Sequence, residues 1–402
     1  MKHNILFLLY NHAFPTRGGV ERVTNVLTEA LLPRHDVYQV SVCKPWPGDT
    51  VRPYQFFLPN DHIASNENLQ FLIDFVREKK IDVVVNQNHD RVQIVQLLSD
   101  LKNCCANSAN NAKIPIVTVV HCDPLVSVKS VVDKFDFDAY RHNMLWYPYL
   151  LFRKTLRLVL RKRYARRSYN TIYQCSDKVV LLSQHFIPKF LQLIDRQDDD
   201  RKVVSISNPA AYSETCDMDF SHKEKVVLYV GRLTFVHKRV DRLLKAWSRI
   251  KDRHGWRLVI VGDGESADFY RQMAHKLGLD DVEFAGHQNP SDYYRRASVL
   301  CVTSTCEGFG LVFVEAMQRG VVPIAYDSFE AVRDIIKPCV NGILVDPFSI
   351  KKYSEAISSI VSHPDKLHLL QQNMEVDRDD MMRKFGIENI VRQWENLFDT
   401  LV

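Results

Sequence analysis

The feature that most constrains the fold is a repeated alternation in the second half of the chain. Short runs rich in Val and Ile recur at 226–230, 257–261, 282–284, 299–302, 322–325 and 343–345, most of them followed by a stretch with helical spacing. Strands apolar at nearly every position are buried on both faces, as in a parallel sheet covered by crossover helices. The same alternation fills the first part, with strands at 4–10, 37–43, 55–58, 81–85, 116–120, 178–182 and 203–206. Helices are expected from about 20, near 68–79 and from about 90 to 101, and the Asn-rich 103–111 reads as a loop. Asn208-Pro209 breaks the pattern, and the polar stretch 210–224 that follows reads as a linker. The expectation is an α/β chain of two Rossmann-like doubly wound domains, 1–208 and 209–402, which 402 residues suit. A last helix at about 386–400, with Ile390, Trp394, Leu397 and Phe398 on one side, can pack back on the first domain.

Composition narrows the function classes. A net charge of +5 with 25% charged residues is not the balance of a nucleic-acid coat protein. Nine scattered cysteines with no C-x-x-C pair argue for reduced thiols and against a zinc site or disulfide framework. The run at 5–10 is too short for a signal-peptide core, and no apolar stretch approaches the ~18 residues of a membrane span. A cytoplasmic protein is expected.

The stretch 299–320 carries the densest chemical signal. An apolar strand runs into a loop of small and polar residues and then a helix that ends at Gly320. Glu307 stands at the helix mouth and Glu315 two turns in. Either carboxylate can accept hydrogen bonds from sugar hydroxyls; the plainer readings are a helix-dipole contact for Glu307 and a pair with Arg319 for Glu315. In open parallel sheets, ligands lie beyond the carboxyl ends of the strands, where loops meet helix N-termini.

Other strand–glycine–helix junctions repeat that design. Gly231-Arg232 follows a strand and Lys238-Arg239 opens the next helix. Two cations at the positive end of a helix dipole are unfavourable unless an anion binds, so a diphosphate on Arg232, Lys238 and backbone amides would resolve the conflict. Gly262-Asp263-Gly264 is weak alone and gains from its position. Gly18-Gly19 supplies the first junction of the other domain, as expected for a ligand in a cleft between the two. His121 ends the 116–120 strand at the same sheet edge, where it can hydrogen-bond a reacting sugar or simply serve a turn.

The D-x-D pairs Asp136/Asp138, Asp198/Asp200 and Asp217/Asp219 follow no apolar strand and read as solvated loops, so no metal is expected. The most basic stretch is 153–167, with eight Lys or Arg and no acid anywhere between Ala139 and Ser176. Phe152, Leu156, Val159, Leu160 and Tyr164 form an apolar stripe beside Arg153, Arg157 and Arg161. A basic amphipathic helix of this kind suits an anionic membrane surface; no nucleic-acid module accompanies it.

Taken together, Glu307 and Glu315 at E-x7-E spacing, Gly231, Arg232, Leu233 and Lys238, Asn341-Gly342, Gly18-Gly19 and His121 resemble the retaining glycosyltransferases of the GT4 type. That resemblance implies the GT-B architecture, two Rossmann-like domains facing across a cleft. It implies transfer of a hexose or N-acetylhexosamine from a nucleotide-sugar, a UDP-sugar favoured, to an acceptor hydroxyl on a glycan or lipid-linked carrier, with neither metal nor cofactor. Arg232 and Lys238 would bind the diphosphate and Glu315 the ribose. Glu307 with the amides of Phe309, Gly310 and Leu311 would bind the sugar. Gly286-His287 would contact the base, and His121 would face the reacting sugar. The sequence departs from the pattern at Arg239, where the family usually has glycine, and at 327–331, where it has a small Gly-rich segment. A GT-B sugar-nucleotide epimerase and a non-catalytic nucleotide-sugar binding protein are the alternatives. The protein would be cytoplasmic, peripheral on the inner membrane face if the basic helix engages lipid.

Overall fold

The computed structural model describes residues 1–14, 18–106, 114–141, 147–197, 201–210 and 220–402. The first series of elements is β1 (Asn4–Leu9), α1 (Gly19–Leu31), β2 (Asp36–Ser41), β3 (Gln55–Phe57), α2 (Asn66–Glu78), β4 (Val83–Asn86), α3 (Val92–Ala106) and β5 (Ile116–Val120). Two helices follow, α4 (Val126–Arg141) and α5 (Tyr147–Cys175), then β6 (Lys178–Leu181), α6 (Phe186–Ile194) and β7 (Val203–Ser205). The second series is β8 (Val226–Val230), α7 (Val240–Trp247), β9 (Arg257–Val261), α8 (Ala267–Lys276), β10 (Val282–Gly286), α9 (Ser291–Arg296), β11 (Val299–Val302), α10 (Leu311–Met317), β12 (Val322–Tyr326), α11 (Val332–Ile335) and β13 (Ile343–Val345). The helices α12 (Ile350–Val361), α13 (Pro364–Phe385) and α14 (Ile387–Asp399) complete the chain.

These strands form two all-parallel sheets, each of Rossmann-like character. The first has seven strands in the order β3-β2-β1-β4-β5-β6-β7, the second six in the order β10-β9-β8-β11-β12-β13. Strands β5 and β12 are buried at every position, which is why their sequences are almost wholly apolar, the buried Thr118 of β5 pairing its hydroxyl with Ser176. In each sheet the strand order reverses once, between β1 and β4 and between β8 and β11. Helices such as α2 bury one stripe, here Leu72, Ile73, Phe75 and Val76, and α2 is capped by Ser65 Oγ accepting from Asn68 N at 3.2 Å. Such a cap is worth about 1 kcal/mol.

The chain forms two compact units, each assembled from separate segments: Met1–Pro124, Arg163–Ala211 and Lys384–Val402, and Leu125–Lys162 with Tyr212–Arg383. Helix α4 therefore belongs to the second unit. Phe137 of α4 packs against Phe235 and Phe269, with ring centroids 4.6 and 5.8 Å apart. Helix α14 lies in the first unit, on the side of α1, with Ile390, Val391, Trp394, Leu397 and Phe398 buried.

Several local expectations are corrected. Residues 103–106 are the last turn of α3 rather than loop, since Leu101 and Cys105 continue its buried stripe. Asp136 and Asp138 lie in α4, and Asp136 is an ion-pair partner rather than a solvated loop residue. Helix α7 starts at Val240, because His237 and Arg239 hold positive φ values of 76° and 50° that no α-helix admits. Residues 107–113 of the Asn-rich segment, 211–219 of the linker, and the pairs Asp198/Asp200 and Asp217/Asp219 lie outside the described residues.

Candidate active site

In the second unit the site is set by where the strand order reverses. Strands β8 and β11 are neighbours, in register Val227 to Val299, and their following loops lead to α7 and α10 in opposite directions along the sheet. The gap between two such loops is the usual ligand crevice of an open parallel sheet. Lys238, at the end of the β8 loop, meets Glu307 of the β11 loop there. Its Nζ donates to Glu307 Oε1 at 2.6 Å and Oε2 at 2.9 Å, and Ser304 Oγ donates to Oε1 at 2.6 Å. Both side chains keep partial exposure, 25% for Lys238 and 13% for Glu307. Arg232, in the same β8 loop, is exposed.

The two carboxylates of the E-x7-E spacing have different surroundings. Glu315, on α10, is buried and accepts from the hydroxyl of Tyr294, itself buried, at 3.1 Å. The exposed position that a simple surface pair with Arg319 would need is thus excluded. Phe309 and Gly310 are buried and Leu311 half-buried where α10 begins. Gly310 caps this helix at φ 93°, and a side chain there would meet Phe313. The 327–331 segment closes this side: Ser328 Oγ donates to Ser304 O at 2.8 Å, and Phe329 stacks on Phe313 with centroids 6.2 Å apart.

The glycine junctions have a structural reason of their own. A Cβ on Gly262 would lie 1.9 Å from Gly231 O, so the β8 and β9 loops approach closely only because this position has no side chain. Gly231 N donates to Val261 O at 3.0 Å and Gly262 N to Gly286 O at 2.8 Å. These two amides, expected among the donor-binding groups, are spent on joining the β8, β9 and β10 loops to one another. His287 follows β10 and is exposed.

Arg239 explains its own departure from glycine. The backbone there is left-handed. That conformation costs most residues roughly 1–2 kcal/mol. Its buried guanidinium contacts Asp133 Oδ1 at 3.1 Å, Asp136 Oδ2 at 2.8 Å and Asp241 Oδ1 at 3.0 Å, and lies 4.4 Å over the Phe235 ring. The expected clash of two helix-mouth cations is therefore absent: carboxylates balance Arg239, and Lys238 is paired with Glu307. Thr305, Ser304, Tyr294 and Asp133 were not legible as site neighbours; nothing in the sequence around Asp133, which shares its helix face with Lys129, Ser130 and Asp136, sets it apart from a solvated acid.

In the first unit, Gly18, Gln87 and His121 follow β1, β4 and β5 at the carboxyl edge of the sheet. Gly18 opens α1 at φ 50°, and Gly19 has open space where a side chain would lie. His121 Nε2 lies 2.5 Å from Gln87 Oε1, and its amide donates to His89 Nδ1 at 3.4 Å. His89 Nε2 lies 3.0 Å from Cys122 Sγ and stacks on Tyr169. Burial, reinforced by His89, lowers His121 to about 3, and burial lowers His89 to about 4 against a weaker opposing pull from Asp90. Burial likewise raises the Cys122 thiol to about 12. This is a neutral, not an ionised, cluster at ordinary pH.

Among the described residues, no group of three or more His, Cys, Asp or Glu is arranged to hold a metal ion. No described helix is long and apolar enough to cross a membrane.

Two parallel Rossmann-like sheets in one chain, with a crevice where β8 and β11 diverge, define a GT-B type of fold. The structure of Anabaena HepE in complex with UDP and glucose superposes on it with a TM-score of 0.70 at 16% identity, covering 99% of this chain and all of that one. Residues 217–376 match the family described as glycosyl transferases group 1. The chain is 27% identical over 237 residues to the amylovoran biosynthesis glycosyltransferase AmsD of Erwinia amylovora, covering 56% of this chain and 63% of that protein. It is 30% identical over 164 residues to a Campylobacter jejuni enzyme named as an alpha-1,4-N-acetyl-D-galactosaminyltransferase acting on a diNAcBac-PP-undecaprenol-linked glycan, covering 39% and 45%. The chain spans about half the length of the curated relatives it matches.

Proposed function

We propose that the protein is a retaining, metal-independent glycosyltransferase of the GT4 type. It would move a hexose or N-acetylhexosamine from a nucleotide-sugar, a UDP-sugar favoured, to a hydroxyl of a glycan or lipid-linked acceptor. The observation that carries this reading is the Lys238–Glu307 pair at the reversal point of the second sheet, with Arg232 in the same loop.

In this reading Lys238 and Arg232 take the diphosphate, and Glu307 exchanges its ammonium partner for donor sugar hydroxyls. Glu315 receives the ribose and Gly286-His287 the base, while the α10 mouth at Phe309, Gly310 and Leu311 lies against the sugar. The bond from the anomeric carbon to the β-phosphate oxygen breaks and a bond to the acceptor oxygen forms on the same face. The acceptor proton passes to the departing phosphate, and the nucleoside diphosphate leaves. Fixed cations and helix amides aimed at the charge growing on the diphosphate supply the stabilisation. His121, held neutral, would serve as a hydrogen-bonding partner of the reacting sugar rather than as an ion.

The lipid side of the proposal rests on α5, whose exposed Phe152, Leu156, Val159, Leu160 and Tyr164 are interleaved with Arg153, Arg157, Arg161 and Lys162. An anionic membrane surface fits that mixture, and a lipid-linked acceptor would be found there. A peripheral site on the cytoplasmic face agrees with the scattered, odd-numbered cysteines.

The test is a thermal-shift screen against UDP, GDP, ADP and their sugar conjugates. A ligand at 100 times its dissociation constant adds about 2.7 kcal/mol to stability, a clear rise in melting temperature. Lys238→Ala should shrink that rise, leaving a weaker but measurable nucleotide affinity, and abolish turnover. No shift with any nucleotide, or an active Lys238→Ala enzyme, overturns the proposal; donor consumption without an acceptor would identify the epimerase instead.

A further inference from the structure

Both neighbours of Lys238 are strained. His237 has φ 76° and Arg239 φ 50°, neither is glycine, and together they place Lys238 on a tight reversal between the β8 strand and α7. Strain of this sort, of order 1–3 kcal/mol per residue, persists only where the surroundings over-determine it. One side chain reaches both of these flanking residues. Asp133, buried in α4, accepts from the His237 amide through Oδ2 at 3.0 Å. Its Oδ1 accepts from Arg239 Nη1 at 3.1 Å and from Thr305 Oγ1 at 2.7 Å. The carboxylate thus grips the residues on both sides of Lys238, and through Thr305 it grips the loop that carries Glu307 two residues later. Two backbone-directed bonds run alongside: Thr305 N donates to His237 O at 2.7 Å and Thr303 Oγ1 to Arg239 O at 2.9 Å.

We infer that Asp133 is the positioning residue of the Lys238–Glu307 pair, a single buried carboxylate that fixes the β8 and β11 loops against each other. As a statement about donor binding, this rests on Lys238 being a phosphate ligand. The role is specific to Asp133. Asp136, one turn further along α4, contacts Arg239 and lies near Arg242, but among the described contacts it reaches neither the His237 amide nor Thr305. Asp241 holds Arg239 from within α7 and likewise leaves the β11 loop untouched. Only a carboxylate fits all three donors, because each oxygen must accept; the amide of an asparagine would turn a donor toward one of them.

The test reads Lys238 directly. Lysines of the whole protein are dimethylated with 13C-formaldehyde, and the Lys238 signal is identified by its loss in Lys238→Arg. In the wild type it should stand apart from the exposed lysines. In Asp133→Asn it should move into their cluster, whereas in Asp136→Asn it should stay. Should Asp133→Asn fail to fold, Thr305→Val removes one of the three bonds and should move the signal part of the way. In parallel, UDP affinity should fall at least tenfold in Asp133→Asn, with no further fall when the change is made in Lys238→Ala. An unmoved Lys238 signal in a folded Asp133→Asn or Thr305→Val protein overturns the inference, as does an equal movement in Asp136→Asn or a loss of UDP affinity additive with that of Lys238→Ala. A wild type that binds no nucleoside diphosphate would remove the proposed function, while the lysine signal would still decide the role of Asp133.

Discussion

Gly262 and Arg239 meet similar backbone demands by opposite means. Gly262 sits at φ 140° against Gly231 O, where only the absence of a side chain is tolerated. Arg239 sits at φ 50° with a full side chain, held by three carboxylates. The first solution is legible in a sequence, because glycine advertises it; the second is not, since two of its partners lie over one hundred residues away. His121 and His89 show the same limit. Their chemistry is set by burial, which lowers them to about 3 and about 4 from the ordinary 6.5. Between those values and about pH 6.5 the unfolded chain takes up protons that the folded chain refuses, so stability is complete above pH 6.5 and falls as the pH drops below it. The wild-type melting temperature should therefore decline from pH 7 to pH 5. A His121→Gln variant, neutral throughout, should decline less steeply; an unchanged slope would remove His121 from the account.

Elements were legible to the extent that their period is local. The thirteen described strands lie close to where short apolar runs place them, but the reversal between β8 and β11 was not legible, because doubly wound parallel sheets reverse at different strands. The allegiance of α4 was not legible, because it is fixed by Asp133 and Phe137 meeting residues a hundred positions on. Helix α5 is an intermediate case: its pattern is clear in the sequence, and exposures of 67% for Phe152 and 53% for Leu160 add that the described protein leaves these side chains uncovered. If the covering surface is anionic lipid, each cation contributes roughly 1 kcal/mol near it. Changing Arg157, Arg161 and Lys162 together to Gln should weaken binding to phosphatidylglycerol vesicles about a hundredfold and leave the melting temperature nearly unchanged. Equal binding of wild type and variant in a vesicle sedimentation assay, or equal binding to neutral vesicles, would count against the membrane surface.

At the scale of the whole chain, each unit is built from segments that are far apart in sequence, so stability should be partitioned by unit rather than by halves of the sequence. Helix α14 is the sharpest case. It follows α13 of the second unit, yet its contacts are with the first: Asp399 lies 2.8 Å from His3 Nε2, Glu395 lies 3.1 Å from His35 Nε2, and Arg34 reaches both Glu388 and Glu395. The rings of His3 and His35 stack 5.5 Å apart, and Phe398 meets His3 edge-on. The apolar face of α14 adds the buried Trp394. Its truncation to Ala should cost about 3–5 kcal/mol, as for large buried aromatics generally. That cost should fall on one unit. In hydrogen exchange, Trp394→Ala should lose protection at amides of β1, α1 and β2, while β8, β9 and β11 keep theirs, because this helix belongs to the compact unit of the first sheet. Equal loss in both sheets would mean that the two units unfold as one cooperative body. Loss confined to the second sheet would mean that the connection from α13, rather than the buried face of α14, determines where the last helix contributes.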